Sequence, residues 1–398
     1  MALPKVSINV TGSINRPSTN IDGITGFCFY NANIADLTTF STTNRIIKFT
    51  NLAAIEACGI TAASTNFKNE HYQLSEFFRM GGVNVWIGVF AVPSPTYDFT
   101  ELDSMRLYSN GEIKMYVTYT PKALNATDLA TFNTKLSTFD AFKKPAIGIF
   151  GADTSSITKA LLPDLRVLAT DLRYTSVVIG QDTLNEALTV TTALNKSVPA
   201  LGTITGALYT SKVSENILNV GKYNYSNGSI LSTPGFYWKE GLVTGSMVPI
   251  TTIPETDLDS LNDDGYIFFR YLPNYAGTYL SNDHNCAKVT DTFNSIHIMR
   301  VRNKVIRELD RSLSPLIGSS VLFNSDGTMR PASISVFEDA AKSVLSTMQS
   351  NLEISAFSVF LDQTLNVLSS KTVTINVRII VVESADNITI NLNFTQSL

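Results

Sequence analysis

Apolar and polar positions alternate most regularly near the C-terminus. Val373, Ile375, Val377, Ile379 and Val381 stand against Thr372, Thr374, Asn376, Arg378 and Ile380. After Ser384-Ala385-Asp386-Asn387 the alternation resumes, with Ile388, Ile390, Leu392 and Phe394 against Thr389, Asn391, Asn393 and Thr395. A period of two over this length predicts strands with one buried face. A terminal strand frays unless it is tied down, so residues 388–395 need a partner: a hairpin with 372–382, or another molecule. At the other end Val6, Ile8 and Val10 alternate with Lys5, Ser7, Asn9 and Thr11, and residues 12–23 offer no second strand. A lone strand leaves its backbone groups unpaired. It either closes a distant sheet of its own chain or adds to a neighbour's sheet, and patterning leaves both open.

Between the ends, strand and helix patterns alternate. Residues 23–30 and 83–92 are apolar runs that predict buried strands, and 45–49 a shorter one. Asn51 and Gly59 bracket a short helix as N-cap and stop. Residues 69–80 predict a second helix, with Tyr72, Leu74, Phe77 and Phe78 on its apolar face and Gly81-Gly82 ending it. Residues 99–122 read as two strands turning at Asn110-Gly111. Helices are expected over 127–142, 154–174 and 184–194, the second with Leu161, Leu165 and Leu168 inward and Pro163 as a possible break. Strands are expected over 145–150 and 175–180. This order predicts an α/β region with a largely parallel sheet. From 196 to 256 Gly, Ser, Pro and Asn recur around an aromatic cluster at Phe236-Tyr237-Trp238, which reads as an irregular excursion. Asp263-Asp264-Gly265 then turns into a strand at 266–271.

Residues 293–313 predict a helix about 31 Å long. Ile298, Val301, Val305, Leu309 and Leu313 share one face. Arg300, Lys304, Arg307 and Arg311 fall opposite, within about 60°. Such a stripe faces solvent or an acidic partner surface. Arg302 falls near the apolar sector and needs a carboxylate or carbonyls if it is buried.

Composition adds constraints. The chain has 398 residues, 44% hydrophobic and only 16% charged, with a net charge of −4. It is globular and long enough for several cores, and it has no basic footprint for nucleic acid. Cys28, Cys58 and Cys286 are odd in number and lack CxxC spacing, which argues against a disulfide framework or a zinc site. No apolar run is long enough for a membrane span. The N-terminus lacks the pattern of a signal peptide, so a reducing cytoplasm is expected. His71, His284 and His297 stand far apart, and Asp283-His284-Asn285-Cys286 reads as a polar loop. Gly81-Gly82 lies between helix and strand, the reverse of a phosphate loop. No catalytic, cofactor-binding or metal-binding residues are assigned, and no cofactor and no enzymatic activity are expected.

Two segments carry a family resemblance. One is residues 45–92, with Ala57-Cys58-Gly59 and then Phe77-Phe78-Arg79-Met80-Gly81-Gly82 running into Val83-Asn84-Val85-Trp86. The other is residues 264–398, with a strand, a turn at Gly277-Thr278-Tyr279, the helix core from Arg300 to Leu313, Asp326-Gly327, a second helix and the terminal strands. Gly202-Thr203-Ile204-Thr205-Gly206-Ala207-Leu208-Tyr209 adds a fainter match. Together they cover under half the chain, and none is a catalytic fingerprint. In order and spacing they resemble the contractile tail sheath proteins of myoviruses, R-type pyocins and phage-like contractile injection systems.

That resemblance implies an α/β (α+β) multidomain subunit: an N-terminal arm (1–22), a first core part (23–96), an outer α/β domain (97–195), an irregular transition (196–265), an inner C-terminal domain (266–385) and a C-terminal arm (386–398). It implies a structural subunit that polymerises helically around an inner tube, exchanges terminal β-strands and contracts to drive the tube through a cell envelope. Val6, Ile8, Val10, Ile388, Ile390, Leu392 and Phe394 are the expected inter-subunit strands. Val373, Ile375, Val377 and Ile379 form the expected acceptor. Arg300, Lys304, Arg307 and Arg311 are the candidate tube or subunit contact. The implied partners are copies of the chain itself, the tail tube protein, and baseplate and tail terminator proteins, with assembly in the bacterial cytoplasm. An α/β enzyme without a recognisable motif and a non-contractile tail or capsid protein are the alternatives.

Overall fold

A computed structural model describes residues 21–41, 44–93, 96–168, 171–226, 231–361 and 371–385. The arm positions Val6, Ile8, Val10, Ile388, Ile390, Leu392 and Phe394 lie outside the described residues.

The chain begins with strand β1 (Thr25–Tyr30) and strand β2 (Ile46–Phe49), followed by helices α1 (Leu52–Glu56) and α2 (Lys68–Arg79). Strand β3 (Val85–Phe90), helix α3 (Thr100–Tyr108), strand β4 (Met115–Ala123), helix α4 (Ala126–Thr138) and strand β5 (Ile147–Asp153) come next. Strands β6 (Thr175–Val178) and β7 (Gln181–Asp182) precede helices α5 (Asn185–Leu194) and α6 (Leu201–Thr210). A hairpin of β8 (Pro234–Glu240) and β9 (Val243–Pro249), helix α7 (Glu255–Asp263) and strands β10 (Tyr266–Ile267), β11 (Phe269–Leu272) and β12 (Tyr275–Leu280) lead to the last module. That module is α8 (Ile296–Leu313), α9 (Pro331–Ser350), β13 (Ile354–Leu361) and β14 (Ile375–Val381).

Seven strands make the main sheet in the order β10-β6-β5-β4-β1-β3-β2. All neighbours are parallel except β2, which runs antiparallel to β3 at the edge. The central strands are apolar on both sides because both faces are covered. Phe27 and Phe29 of β1 join the cluster under α2 and α6, with Phe77, Leu201, Ile204 and Leu208. Cys28 and Tyr30 point the other way, into the cluster formed with Leu102 and Met105 of α3 and Phe132 of α4.

The short helix α1 begins as its sequence suggests: Asn51 Oδ1 accepts the Ala54 N–H at 2.8 Å, and Gly59 sits at φ +96°. Four expectations are corrected. Residues 100–108 are helical, with Leu102 and Met105 one turn apart on the buried face. Asn110 and Gly111, at φ 49° and 70°, close that helix through Gly111 N–H to Arg106 C=O at 2.9 Å, a left-handed cap in place of a hairpin turn. Between 154 and 174 the described residues hold only a single 3-10 turn, Lys159–Leu161. Pro163 cannot continue a helix, and the Leu165 N–H goes instead to Asp264 C=O at 2.9 Å. The described residues of 196–265 hold regular elements. Helix α6 has Leu201 through Tyr209 buried, and β8 pairs with β9. Finally, Gly277 lies within β12, and the turn before that strand is at Asn274, φ 61°.

The sheet also bears on the domain division. β1–β3 come from 23–96 and β4–β6 from 97–195, yet they share one sheet and one pair of cores. β10, from the first residues of 266–385, completes the same sheet at its far edge.

Candidate functional site

The described residues singled out for assembly lie on α8 and in or beside the β13–β14 ribbon. Ser295 precedes α8 in extended conformation. The apolar stripe behaves as its spacing suggests: Val301 and Val305 are buried with Leu345 and Met348 of α9 and Ile354 of β13, while Leu309 packs against the same cluster. Val377 and Ile379 of β14 close it from the ribbon side. Val373 lies just before β14 and, with Ile375, packs on a smaller cluster of Met329, Ile334 and Leu361. β14 runs antiparallel to β13, with Val377 opposite Val359 and Ile379 opposite Phe357. The ribbon is two strands wide among the described residues. Both outer edges thus carry backbone donors and acceptors with no strand partner there, which is the condition for strand addition.

The cationic stripe does not form one open surface. Arg300 is buried at 4% exposure. It donates from Nη1 to Ser211 Oγ at 2.6 Å and to Lys212 C=O at 3.2 Å, and from Nη2 to Ser211 C=O at 3.3 Å. Burial draws its guanidinium down to about 10. Lys304 Nζ lies 2.9 Å from Asp22 Oδ2 and 2.6 Å from Glu353 Oε1. Arg307 Nη2 lies 2.7 Å from Asp22 Oδ1. Burial would raise the Asp22 carboxyl, but Lys304 and Arg307 outweigh it and hold it below the usual carboxylate range. Arg311 is the outlying member, 72% exposed, with Glu308 one turn away at 2.9 Å. Arg302, expected to need a carboxylate, finds Asp140 after α4 and lies over the Tyr174 ring at 5.5 Å.

A buried pair that the sequence reading did not assemble anchors the start of α8. His297 Nδ1 lies 2.7 Å from Asp283 Oδ2, and both residues are buried. Asp283 also accepts the Ile296 N–H through its backbone carbonyl at 2.8 Å. The other residues of the Asp283–Cys286 run point elsewhere. His284 Nε2 is 3.3 Å from Asn262 Oδ1, and burial drops its imidazole to about 3. The Cys286 thiol is raised to about 12 by burial. No acid, base and thiol are brought together there.

In doubly wound sheets, ligands sit at the carboxyl ends of strands where the strand order reverses. Here β1 is flanked by β3 and β4. Just beyond it, Asn31 donates from Nδ2 to Glu70 Oε1 and to Asn66 C=O, both at 2.8 Å. Glu70 is buried, and that burial raises its carboxyl to about 7. Its hydrogen bond serves to tie the β1 end to α2. Among the described residues no group of three or more His, Cys, Asp or Glu is placed to hold a metal, and no helix is long and apolar enough to cross a membrane.

Comparison with known proteins follows the same outline. Residues 293–398 match the family described as DUF2586, C-terminal domain, a stretch that opens just before α8. No curated protein sequence matches the chain. Among solved structures, the helical sheath of the anti-feeding prophage in its contracted state is similar over 100% of both chains, at 14% identity and a TM-score of 0.62. A chain of the six-fold symmetrised baseplate of the same particle is similar over 100% of both chains, at 13% identity and a TM-score of 0.62. A chain of its contracted-state baseplate follows, again over 100% of both, at 13% and 0.51. The chain therefore has the mixed α/β fold of the sheath and baseplate chains of a contractile phage-like particle.

Proposed function

We propose that this protein is a structural subunit of a contractile tail sheath. It polymerises helically around an inner tube, exchanges terminal strands with neighbouring copies, and contracts to drive the tube through a target envelope. The observation that carries this reading is the likeness to a helical sheath chain along the full length of both molecules. A likeness confined to the sheet would fit many α/β proteins. Here it extends through α8, α9 and the ribbon.

The ribbon supplies the second support. β14 holds its inward side chains on α8 and α9 and leaves its outer edge without a strand partner among the described residues. Residues 388–394 and 6–10 have the alternation to fill such an edge. In this reading main-chain ladders persist between copies while the bodies rotate. The energy of the stroke comes from subunit surface buried on contraction, and no nucleotide is consumed. Tube, baseplate and terminator proteins are the partners, with assembly in a bacterial cytoplasm. Arg311 is the stripe residue best placed for a tube or subunit contact, because Arg300, Lys304 and Arg307 already have partners within the chain.

Electron microscopy of the concentrated protein, alone and co-expressed with a candidate tube protein, is the test. Hollow or tube-filled helical cylinders are expected. Closed shells, or monomers under every condition, would overturn the proposal.

A further inference from the structure

Asp22 is the second described residue after the N-terminal segment, and three observations fix it in place. Its two carboxylate oxygens go to two different cations of α8: Oδ2 to Lys304 at 2.9 Å and Oδ1 to Arg307 at 2.7 Å. The site is largely shielded, with side-chain exposures of 18% for Asp22, 17% for Lys304 and 11% for Arg307. The next residue, Gly23, lies so close to the end of α6 that an added Cβ would fall 2.7 Å from the Tyr209 carbonyl oxygen. A carboxylate gripped at both oxygens is held in orientation as well as position. The described chain therefore starts at a set point, with Asp22 held against α8 and Gly23 against the end of α6.

The other end of the described chain follows β14 and passes near the same helix. Glu383 Oε2 lies 3.8 Å from Nε2 of His297, in the first turn of α8. Its neighbour Ser384 accepts from Asn216 Nδ2 at 2.8 Å. Positions 297 and 304–307 are separated by about 10–15 Å along the helix axis. Helix α8 thus lies beside both ends of the described chain.

We infer that Asp22 is a positioning residue for assembly: clamped by Lys304 and Arg307, it fixes the exit of the N-terminal segment relative to that of the C-terminal segment, and α8 carries load between them. This rests on the strand-exchange reading above and assigns Lys304 and Arg307 an inward role. Glu353 completes the charge balance, two carboxylates against two cations. Without Asp22, Arg307 would be left beside Lys114, whose amine is already drawn down to about 7 by burial and by the charges of Arg307 and Lys144.

The test uses the full chain in two measurements. Hydrogen exchange of the unassembled protein is compared for wild type, Asp22→Asn and Asp22→Glu. Helical order of the polymers is then read from electron micrographs. Asp22→Asn is expected to speed exchange several-fold at residues 22–25 while β4 and β5 keep their protection, and to give polymers of irregular pitch or none. Asp22→Glu is expected to restore both. The variant Asp22→Asn with Arg307→Gln removes one charge of each sign and serves if the single variant does not fold. Unchanged exchange overturns the clamp. Faster exchange with wild-type helical order overturns the positioning role. Failure of the strand-exchange reading is seen separately, as regular cylinders from both a chain lacking residues 2–12 and a chain lacking residues 386–398.

Discussion

Gly202 donates its backbone N–H to Gln73 Oε1 at 2.8 Å, and a Cβ at Gly202 would stand 1.9 Å from the Gln73 carbonyl oxygen. Helices α6 and α2 therefore meet backbone to backbone at this point. Gln73 closes the contact with its Nε2, which donates to Pro199 C=O at 2.8 Å. The glycine at the second position of this helix is there for proximity. Gly202→Ala is expected to force the helices apart and to cost about 1–3 kcal/mol or more, read as a lower urea midpoint with an unchanged slope. A neutral result would mean that the contact is looser than the geometry implies.

The terminal segments should matter for assembly more than for folding. Deleting residues 2–12, or 386–398, is expected to leave a folded body that does not polymerise. Each arm would contribute roughly five backbone hydrogen bonds at about 1 kcal/mol net apiece, repeated at every subunit. Circular dichroism checks the fold and electron microscopy the polymer. Long regular sheaths from both truncations would refute strand exchange.

The α8 cations should separate into two classes. Lys304→Glu with Arg307→Glu places two carboxylates against Asp22 and Glu353. The pairs are largely but not fully buried, so the expected loss is on the order of 2–4 kcal/mol. Arg311→Glu, at an exposed position, should shift stability by no more than about 0.5 kcal/mol. If a polymer or tube contact is lost in Arg311→Glu while its melting temperature holds, that residue faces a partner. Equal destabilisation by both sets of changes would contradict the described pairing.

Glu70 should make the body sensitive to pH. Burial raises its folded carboxyl from the ordinary 4.5 to about 7. The folded state therefore holds its proton where the unfolded state has released it. The contribution is fully present below pH 4.5 and is lost as pH rises through 7, in total about 3 kcal/mol. Glu70→Gln keeps an oxygen for Asn31 and removes the titration. The variant is expected to be more stable than wild type at pH 8 and similar near pH 4, as measured by denaturant titration across that range. Parallel pH profiles would rule out a protonated Glu70.

Local pattern alone determined a good part of this molecule. Asn51 and Gly59 bracket α1, the apolar runs became β1 and β3, and Val301, Val305 and Leu309 marked the buried face of α8. Each of these depends on neighbours a few residues away, so periodicity and capping chemistry report it directly. The resemblance to sheath proteins, carried by weak matches in order, is met by a likeness of fold over the full length. Tertiary structure decided the rest. Helix α6 is buried from Leu201 through Tyr209, so it has no polar face to set a period, and the Gly, Ser, Pro and Asn of 196–256 read as an irregular excursion. Residues 100–108 have helical spacing in Leu102 and Met105, but the Asn-Gly that follows serves helix end and hairpin equally well. The stripe on α8 shows the limit most clearly. Periodicity put Arg300, Lys304, Arg307 and Arg311 on one side of a helix, but it carries no information about what lies opposite. Asp22 is 285 residues from Arg307 in sequence and 2.7 Å away in the fold. Only the path of the whole chain brings such charges together.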